Sequence, residues 1–137
     1  MTLRVETRAR ARALQLLYGW DTTGRELQSL VTGLARLTGP EPSVLDRAEA
    51  LARGVIAHHE GLDALLADAT EHWRFDRLGV VDRNILRLGA YELSQETVRP
   101  KVAIDEALWL AHRFGTTQSA AFVNGVLDRV AHTLGRL

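Results

Sequence analysis

The high content of leucine and alanine is the feature of this sequence that most constrains its fold. The chain has 137 residues, of which 22 are leucine and 18 are alanine. Both residue types are strong helix formers. Alternating runs of β-branched residues, which are typical of half-buried strands, are scarce. Only three prolines interrupt the chain. We therefore predict an all-α fold of about seven helices.

Prolines and glycines place the predicted breaks between these helices. The predicted helices cover about residues 4–19, 25–37, 43–59, 62–73, 81–95, 102–114 and 116–134. Pro40 and Pro42 forbid helix continuation, and Ser43 behind them is a good N-cap. Gly115 is a normal residue after a helix end, and Thr116 or Thr117 is expected to cap the last helix.

No stretch of the sequence is long enough to be a linker between separate domains. The breaks before Ser43 and around Phe75 divide the chain into helical segments of unequal length. We therefore expect a single domain over 1–137, built from a helical subdomain at about 1–75 and another at about 76–137.

The overall charge is balanced, with 17 Lys and Arg against 17 Asp and Glu, which argues against a uniformly basic protein that coats nucleic acid. A local basic patch is still compatible with this sum. The sequence holds no cysteine, which fits a reducing cytoplasm. The first 20 residues lack the pattern of a signal peptide, and the longest apolar runs are far shorter than the roughly 18 residues of a membrane span. We expect a cytoplasmic protein with no membrane partner.

Histidine and carboxylate spacings do not predict a metal site. His58-His59-Glu60 lacks the second histidine, one turn further on, of a zincin. The pairs His59 with Asp63 and Asp68 with His72 each offer two ligands, whereas zinc sites need three or four. Both pairs are interpreted as polar pairs on a helix surface.

Catalytic patterns are equally thin. The eleven glycines are scattered singly, so there is no phosphate-binding loop, and no nucleophile elbow is present. Glu92, Asp105 and Glu106 fall in apolar helices, where capping and hydrogen bonds between helices explain them without acid–base chemistry. We therefore predict neither an enzyme nor a cofactor.

The first predicted helix carries a stripe of arginines. At about 100° per residue, Arg4, Arg8 and Arg12 fall within a stripe about 80° wide, with Tyr18 at its edge and Arg10 beside the apolar face. The apolar face consists of Ala9, Ala13, Leu16, Leu17 and Trp20. Guanidinium groups pair with phosphates and stack on unpaired bases, so the stripe suits RNA. The pattern alone leaves open an ordinary solvated helix face.

Four sequence blocks carry a resemblance to a known family. They are Arg10–Trp20, Leu86–Leu93, Lys101–Ala107 and Phe122–Asp128. In content, order and interval these blocks resemble the NusB family, and the resemblance covers essentially the whole chain. Members of that family are small all-helical bacterial proteins with two helical subdomains. The resemblance implies binding of boxA RNA together with NusE, a ribosomal small-subunit protein, in transcription antitermination on ribosomal RNA operons, with RNA polymerase and further Nus factors.

The resemblance also implies roles for single residues. Arg8 and Arg10 match the arginine-rich run of the family that contacts RNA, and Arg4 and Arg12 extend it. Tyr18 matches a tyrosine near the RNA and NusE surfaces. Asp82 matches an acidic position of the NusE contact.

The sequence departs from the family pattern at several positions. Glu6 stands where many members are basic, and a carboxylate beside phosphates opposes RNA binding. Ala121 replaces a frequent basic residue, Asp105 a frequent asparagine, and Gln118 is neutral where acidic residues also occur. Two residues of the last block, Asn124 and Gly125, are interpreted as structural, a buried amide and a small residue that permits close helix packing.

Two other functions remain open from sequence. The same fold resembles the N-terminal RNA-binding domain of some ribosomal RNA cytosine methyltransferases, although 137 residues leave no room for their cofactor-binding domain. A self-associating helical protein-interaction module is the other alternative, so both a monomer and a homodimer are compatible with the sequence.

Overall fold

A computed structural model describes residues 3–70 and 75–137. Within these residues the chain forms seven α-helices and no strand, which confirms the predicted all-α fold. The helices are α1 (Val5–Thr23), α2 (Leu27–Thr38), α3 (Pro42–Ala57), α4 (His59–Ala69), α5 (Val80–Ser94), α6 (Pro100–Phe114) and α7 (Ser119–Thr133). A 3₁₀ turn at Phe75–Arg77 precedes α5. The predicted end of the fourth helix, Trp73, lies outside the described residues.

The chain divides into two compact units, Met1–Ala57 and His58–Leu137. The expected boundary was near residue 75, and the observed one falls between α3 and α4. The boundary differs because α4 packs on α5 and α7 and so joins the C-terminal helices.

No helix of the described chain is both long and apolar enough to cross a membrane.

In the first unit, α1 packs along α3, and α2 lies against both helices. The buried side chains of this core are Ala9, Ala13, Leu14, Leu16, Leu17, Val44, Leu45, Ala48, Ala52 and Val55. Small alanines on both helices let the two backbones approach, while each buried leucine contributes roughly 1.5–3 kcal/mol. One side of α1 is therefore committed to the core, and this fixes which of its residues face solvent.

The start of α3 corrects the predicted N-cap. Pro42, not Ser43, is the first helical residue. A proline is favoured there because its missing N–H would have no partner within the helix. The carbonyl of Glu41 accepts the amides of Val44 and Leu45 at 3.0 and 2.9 Å. Glu41 therefore stands at the first turn of α3, next to the N-terminal half of α1.

In the second unit, α5, α6 and α7 pack on one another, and α4 covers α5 and α7. The close approach of α5 to α7 depends on Gly89, where an added Cβ would lie 2.6 Å from Cδ1 of Leu127. Our structural interpretation of Asn124 and Gly125 is wrong. Asn124 is exposed, and no described atom outside its own helix lies within 4 Å of a Cβ added to Gly125.

The ends of the C-terminal helices also differ from the prediction. Helix α7 begins at Ser119, two or three residues after the expected caps. The buried Ser119 hydroxyl instead accepts the amide of Thr116 at 2.9 Å. At the other end of α7, the Arg136 guanidinium donates to the carbonyls of Gln95 and Val98 at 3.0 and 2.7 Å. These bonds tie the chain end to the loop between α5 and α6.

Candidate nucleic-acid interface and partner groove

The exposed side of α1 carries most of the predicted RNA-binding residues. Arg4 is exposed, Arg8 and Arg12 are partly exposed, and Tyr18 is 48% exposed. They share this side because the opposite half of the helix is buried in the core. We call these four residues the arginine face. It offers three guanidiniums and one aromatic ring within less than four helical turns.

Arg10 does not belong to the arginine face. Arg10 is only 8% exposed, and it lies on the buried side of α1 with Thr7, Leu14 and Leu17. The sequence placed Arg10 at the flank of the apolar face, but the core covers a wider arc of α1 than the apolar residues alone indicate. A buried guanidinium is poorly placed to meet a phosphate from solvent.

Two carboxylates lie against the arginines of the first unit. The Nη2 atom of Arg8 donates to both carboxylate oxygens of Glu41. Glu6, which we expected to oppose RNA binding, pairs with Nη1 of Arg47 at 3.5 Å. Arg12 donates to the Gln15 side chain at 2.9 Å.

Sequence reasoning missed both Glu41 and Arg47. The two residues are 33 and 41 positions away from their partners on α1. No local pattern connects positions so far apart. Only the packing of α3 along α1 brings Glu41 beside Arg8 and Arg47 beside Glu6, and the Arg47 side chain is exposed.

Asp82 lies in the first turn of α5, in the second unit. An acidic side chain is favoured there by the positive end of the helix dipole. The same residue lines an open groove of about 220 Å³, which we call the partner groove. Its other lining residues are Leu78, Thr116, Gln118, Ser119 and Phe122. The groove thus combines a carboxylate with an aromatic ring and a leucine. The sequence did not single out Leu78, and it noted Phe122 only as the first residue of a family block.

The remaining candidate residues form no ligand cluster in the described part of the chain. Among residues 3–70 and 75–137, no three His, Asp or Glu side chains are placed to hold a metal ion. Asp63, which was expected to pair with His59, directs both carboxylate oxygens to Arg87. His72, the expected partner of Asp68, lies outside the described residues. Glu92 is buried, whereas Asp105 is exposed, so these two carboxylates do not share an environment.

Other positions that depart from the family pattern lie at the surface. Glu6, Gln118 and Ala121 are all exposed. Gln118 also lines the partner groove beside Asp82. None of these three side chains therefore belongs to the buried core.

Comparison with known proteins identifies the family. The NusB family profile matches residues 7–132. The transcription antitermination protein NusB of Anaeromyxobacter dehalogenans (strain 2CP-1) is 44% identical over 135 residues, which are 98% of this chain and 94% of that protein. T. maritima NusB is 34% identical, with a TM-score of 0.79 over 96% of this chain and 93% of that chain.

One chain of a solved complex is also similar to this chain. A crystal structure of the antitermination factors NusB and NusE in complex with dsRNA contains a chain that superposes with a TM-score of 0.83 at 27% identity. The match covers 96% of this chain and 99% of that one. Profile, sequence identity and fold agree over nearly the whole length. The chain therefore belongs to the NusB family.

Proposed function

We propose that this chain is a non-enzymatic RNA-binding adaptor in transcription antitermination, which binds boxA RNA together with NusE on ribosomal RNA operons. The observation that carries the proposal is the similarity to the solved complex of NusB, NusE and dsRNA, which extends over 96% of this chain. An adaptor needs surfaces for its partners and no catalytic group. The two surfaces described above meet that need.

The arginine face is the proposed RNA contact. Arg4, Arg8 and Arg12 supply charge for phosphates, since arginine forms short, charge-assisted hydrogen bonds to phosphate oxygens. Tyr18 supplies an exposed ring on which an unpaired base can stack. Arg10 was included in this contact from the sequence. We now assign it to the packing of α1, because its side chain is buried.

The partner groove is the proposed contact for NusE. A ribosomal protein segment with a basic side chain beside an apolar one would complement Asp82 and Phe122, which both line the groove. Tyr18 is the second proposed contact for NusE, in line with its position in the family pattern. The two roles of Tyr18 are separable, because RNA binding can be measured without NusE.

The wider assembly follows from the same proposal. The adaptor would deliver boxA RNA to the elongating RNA polymerase, with other Nus factors, in the cytoplasm where bacterial transcription takes place. Neither step requires a cofactor or a metal. The chain acts as a monomer or as a homodimer, and only a form that leaves the arginine face accessible binds RNA.

A titration of labelled boxA RNA tests the proposal directly. Fluorescence anisotropy is measured against protein concentration, with and without NusE, for boxA RNA and for a scrambled single strand of the same length. We expect weak binding by the chain alone, tighter binding with NusE, and a preference for boxA. Equal affinity for both RNAs with no enhancement by NusE would refute the proposed function.

A further inference from the structure

Glu41 lies directly on the arginine face, although it belongs to a different helix. Its carboxylate accepts both of its contacts from Nη2 of Arg8, the central arginine of the face. We propose that Glu41 is a built-in competitor of RNA, which occupies Arg8 in the free protein and must be displaced by a phosphate. This inference rests on the proposed function, since it concerns how the same face is regulated.

The position of Glu41 is fixed by the backbone around it. Pro40 and Pro42 flank it, and a proline holds its own φ near −65°. Its carbonyl is bonded to two amides of the first turn of α3. The backbone that carries the carboxylate is therefore already ordered, so pairing with Arg8 costs only the freedom of the two side chains.

The pair is nevertheless open to a competing anion. The side chain of Arg8 is 32% exposed and that of Glu41 is 45% exposed. An exposed pair of this kind stabilises a protein only weakly, because water screens it and its side chains must be ordered. A phosphate from solvent can therefore reach the guanidinium and replace the carboxylate at small cost.

Glu41 should oppose RNA binding because of its charge. While it contacts Arg8, the pair presents no net charge to an approaching phosphate. Once displaced, its carboxylate still stands near that phosphate and repels it. Glu6 differs, since it contacts Arg47 and not an arginine of the face, at the longer distance of 3.5 Å.

Removal of the Glu41 charge should strengthen RNA binding through Arg8. For Glu41→Gln we expect affinity for boxA RNA to rise about three- to fivefold at low salt, within the range of an exposed charge pair. The salt dependence should become steeper by up to about 0.7 in slope, because the displaced wild-type carboxylate cancels charge that Arg8 brings to one phosphate contact. The gain should shrink as salt concentration rises.

The test compares four variants by anisotropy with boxA RNA over a range of salt concentrations. These four are Glu41→Gln, Arg8→Ala, the double variant Arg8→Ala/Glu41→Gln, and Glu49→Gln as the control, and Glu41→Ala is measured beside them as a fifth. Glu49 pairs with Arg53 one turn away on α3, so this control makes the same change in net charge and also releases an arginine. Glu41→Ala serves as a second variant, and circular dichroism checks that each protein is folded.

Each outcome decides the proposal. It is supported if Glu41→Gln binds more tightly, Glu49→Gln changes affinity by less than a factor of about 1.5, and the gain disappears in the Arg8→Ala background. Binding by the wild type with no gain, or a loss, in both Glu41 variants overturns the inference and leaves the proposed function intact. Failure of every protein to bind RNA, with or without NusE, overturns both.

Discussion

Arg87 and Asp63 form a two-point ion pair between α5 and α4, with Nε to Oδ1 at 2.7 Å and Nη2 to Oδ2 at 2.8 Å. The Arg87 side chain is only 8% exposed. Its Nη1 also donates to the Asn84 side chain at 3.0 Å, and its guanidinium carbon lies 5.5 Å from the centre of the Phe75 ring. A buried arginine therefore joins two helices and the 3₁₀ turn, within a sequence block that first identified the family.

Loss of the Asp63 charge should destabilise the second unit. Asp63→Asn leaves the buried Arg87 guanidinium without its counter-charge, and such changes cost more than the intact pair contributes. Since Asp63 keeps some exposure, we expect a decrease of about 2 to 3 kcal/mol in the free energy of unfolding, measured by urea denaturation. Asp68→Asn, on the exposed side of the same helix, should change it by less than about 0.5 kcal/mol. Equal effects of both substitutions would contradict this role of Arg87.

Arg12 should contribute to RNA binding through charge. Arg12→Ala is expected to weaken boxA binding and to reduce the slope of log affinity against log salt by about 0.7, one phosphate contact to a single strand. Arg36→Ala removes an exposed arginine of α2 and is the matched control. A slope unchanged in Arg12→Ala, or reduced equally in Arg36→Ala, would remove Arg12 from the proposed contact.

Tyr18 should act through its ring. Tyr18→Ala is expected to weaken RNA binding by about 1 to 3 kcal/mol, the usual contribution of one stacked base. Tyr18→Phe keeps the ring and should bind RNA nearly as well as the wild type. If the phenylalanine variant loses as much affinity as the alanine variant, the hydroxyl and not stacking is what RNA requires. The same two proteins, titrated with NusE alone, measure the second proposed role of Tyr18.

The partner groove should bind NusE independently of RNA. Asp82→Asn and Phe122→Ala are each expected to weaken NusE binding at least about fivefold, since each removes a charge or an apolar side chain from the groove. Calorimetry with purified NusE measures this, while RNA binding in the absence of NusE should stay unchanged. Asp105→Asn, an exposed carboxylate of α6, is the control. NusE binding that is unaltered in both groove variants would place the contact elsewhere.

Two glycines should respond to alanine in opposite directions. Gly89→Ala sets a Cβ 2.6 Å from Leu127 Cδ1 at the contact of α5 with α7, and overpacking of this kind costs roughly 1 to 3 kcal/mol. Gly125→Ala meets no described atom outside its helix within 4 Å and should stabilise α7 by roughly 0.5 to 1 kcal/mol. Thermal unfolding measures both. Stabilisation by Gly89→Ala would show that Leu127 or the two helices can shift to admit the Cβ without cost.

Most of the helices could be predicted because their signals are local. The periodicity of leucine and alanine lies within each helix, and helix-breaking residues such as Pro40, Pro42 and Gly115 lie at the helix ends. Each predicted helix is therefore present in the described residues. Helix ends were less predictable. The sequence predicted Ser43 as the N-cap of α3, whereas the helix begins at Pro42, because proline is itself favoured at the first helical position.

The candidate site was only partly predictable, because only part of it depends on local sequence. The periodicity of α1 correctly placed Arg4, Arg8, Arg12 and Tyr18 on one exposed side, and the family resemblance pointed to Asp82. Neither the periodicity nor the resemblance could show that Arg10 is buried, because burial depends on which helices cover α1. The sequence also could not show the ion pairs of Glu41 and Arg47 or the place of Phe122 in the groove, because the neighbours of these residues are distant in sequence.

The sequence by itself determined the helical fold and, through its four blocks, membership of the NusB family. Both are recorded locally, in composition, in helical period and in short motifs. Only the tertiary structure decided that the division lies after Ala57, that Arg10 is buried, and that Glu41 pairs with Arg8. These facts depend on distances between residues far apart along the chain, and such distances exist only once burial of the apolar faces has brought the helices together.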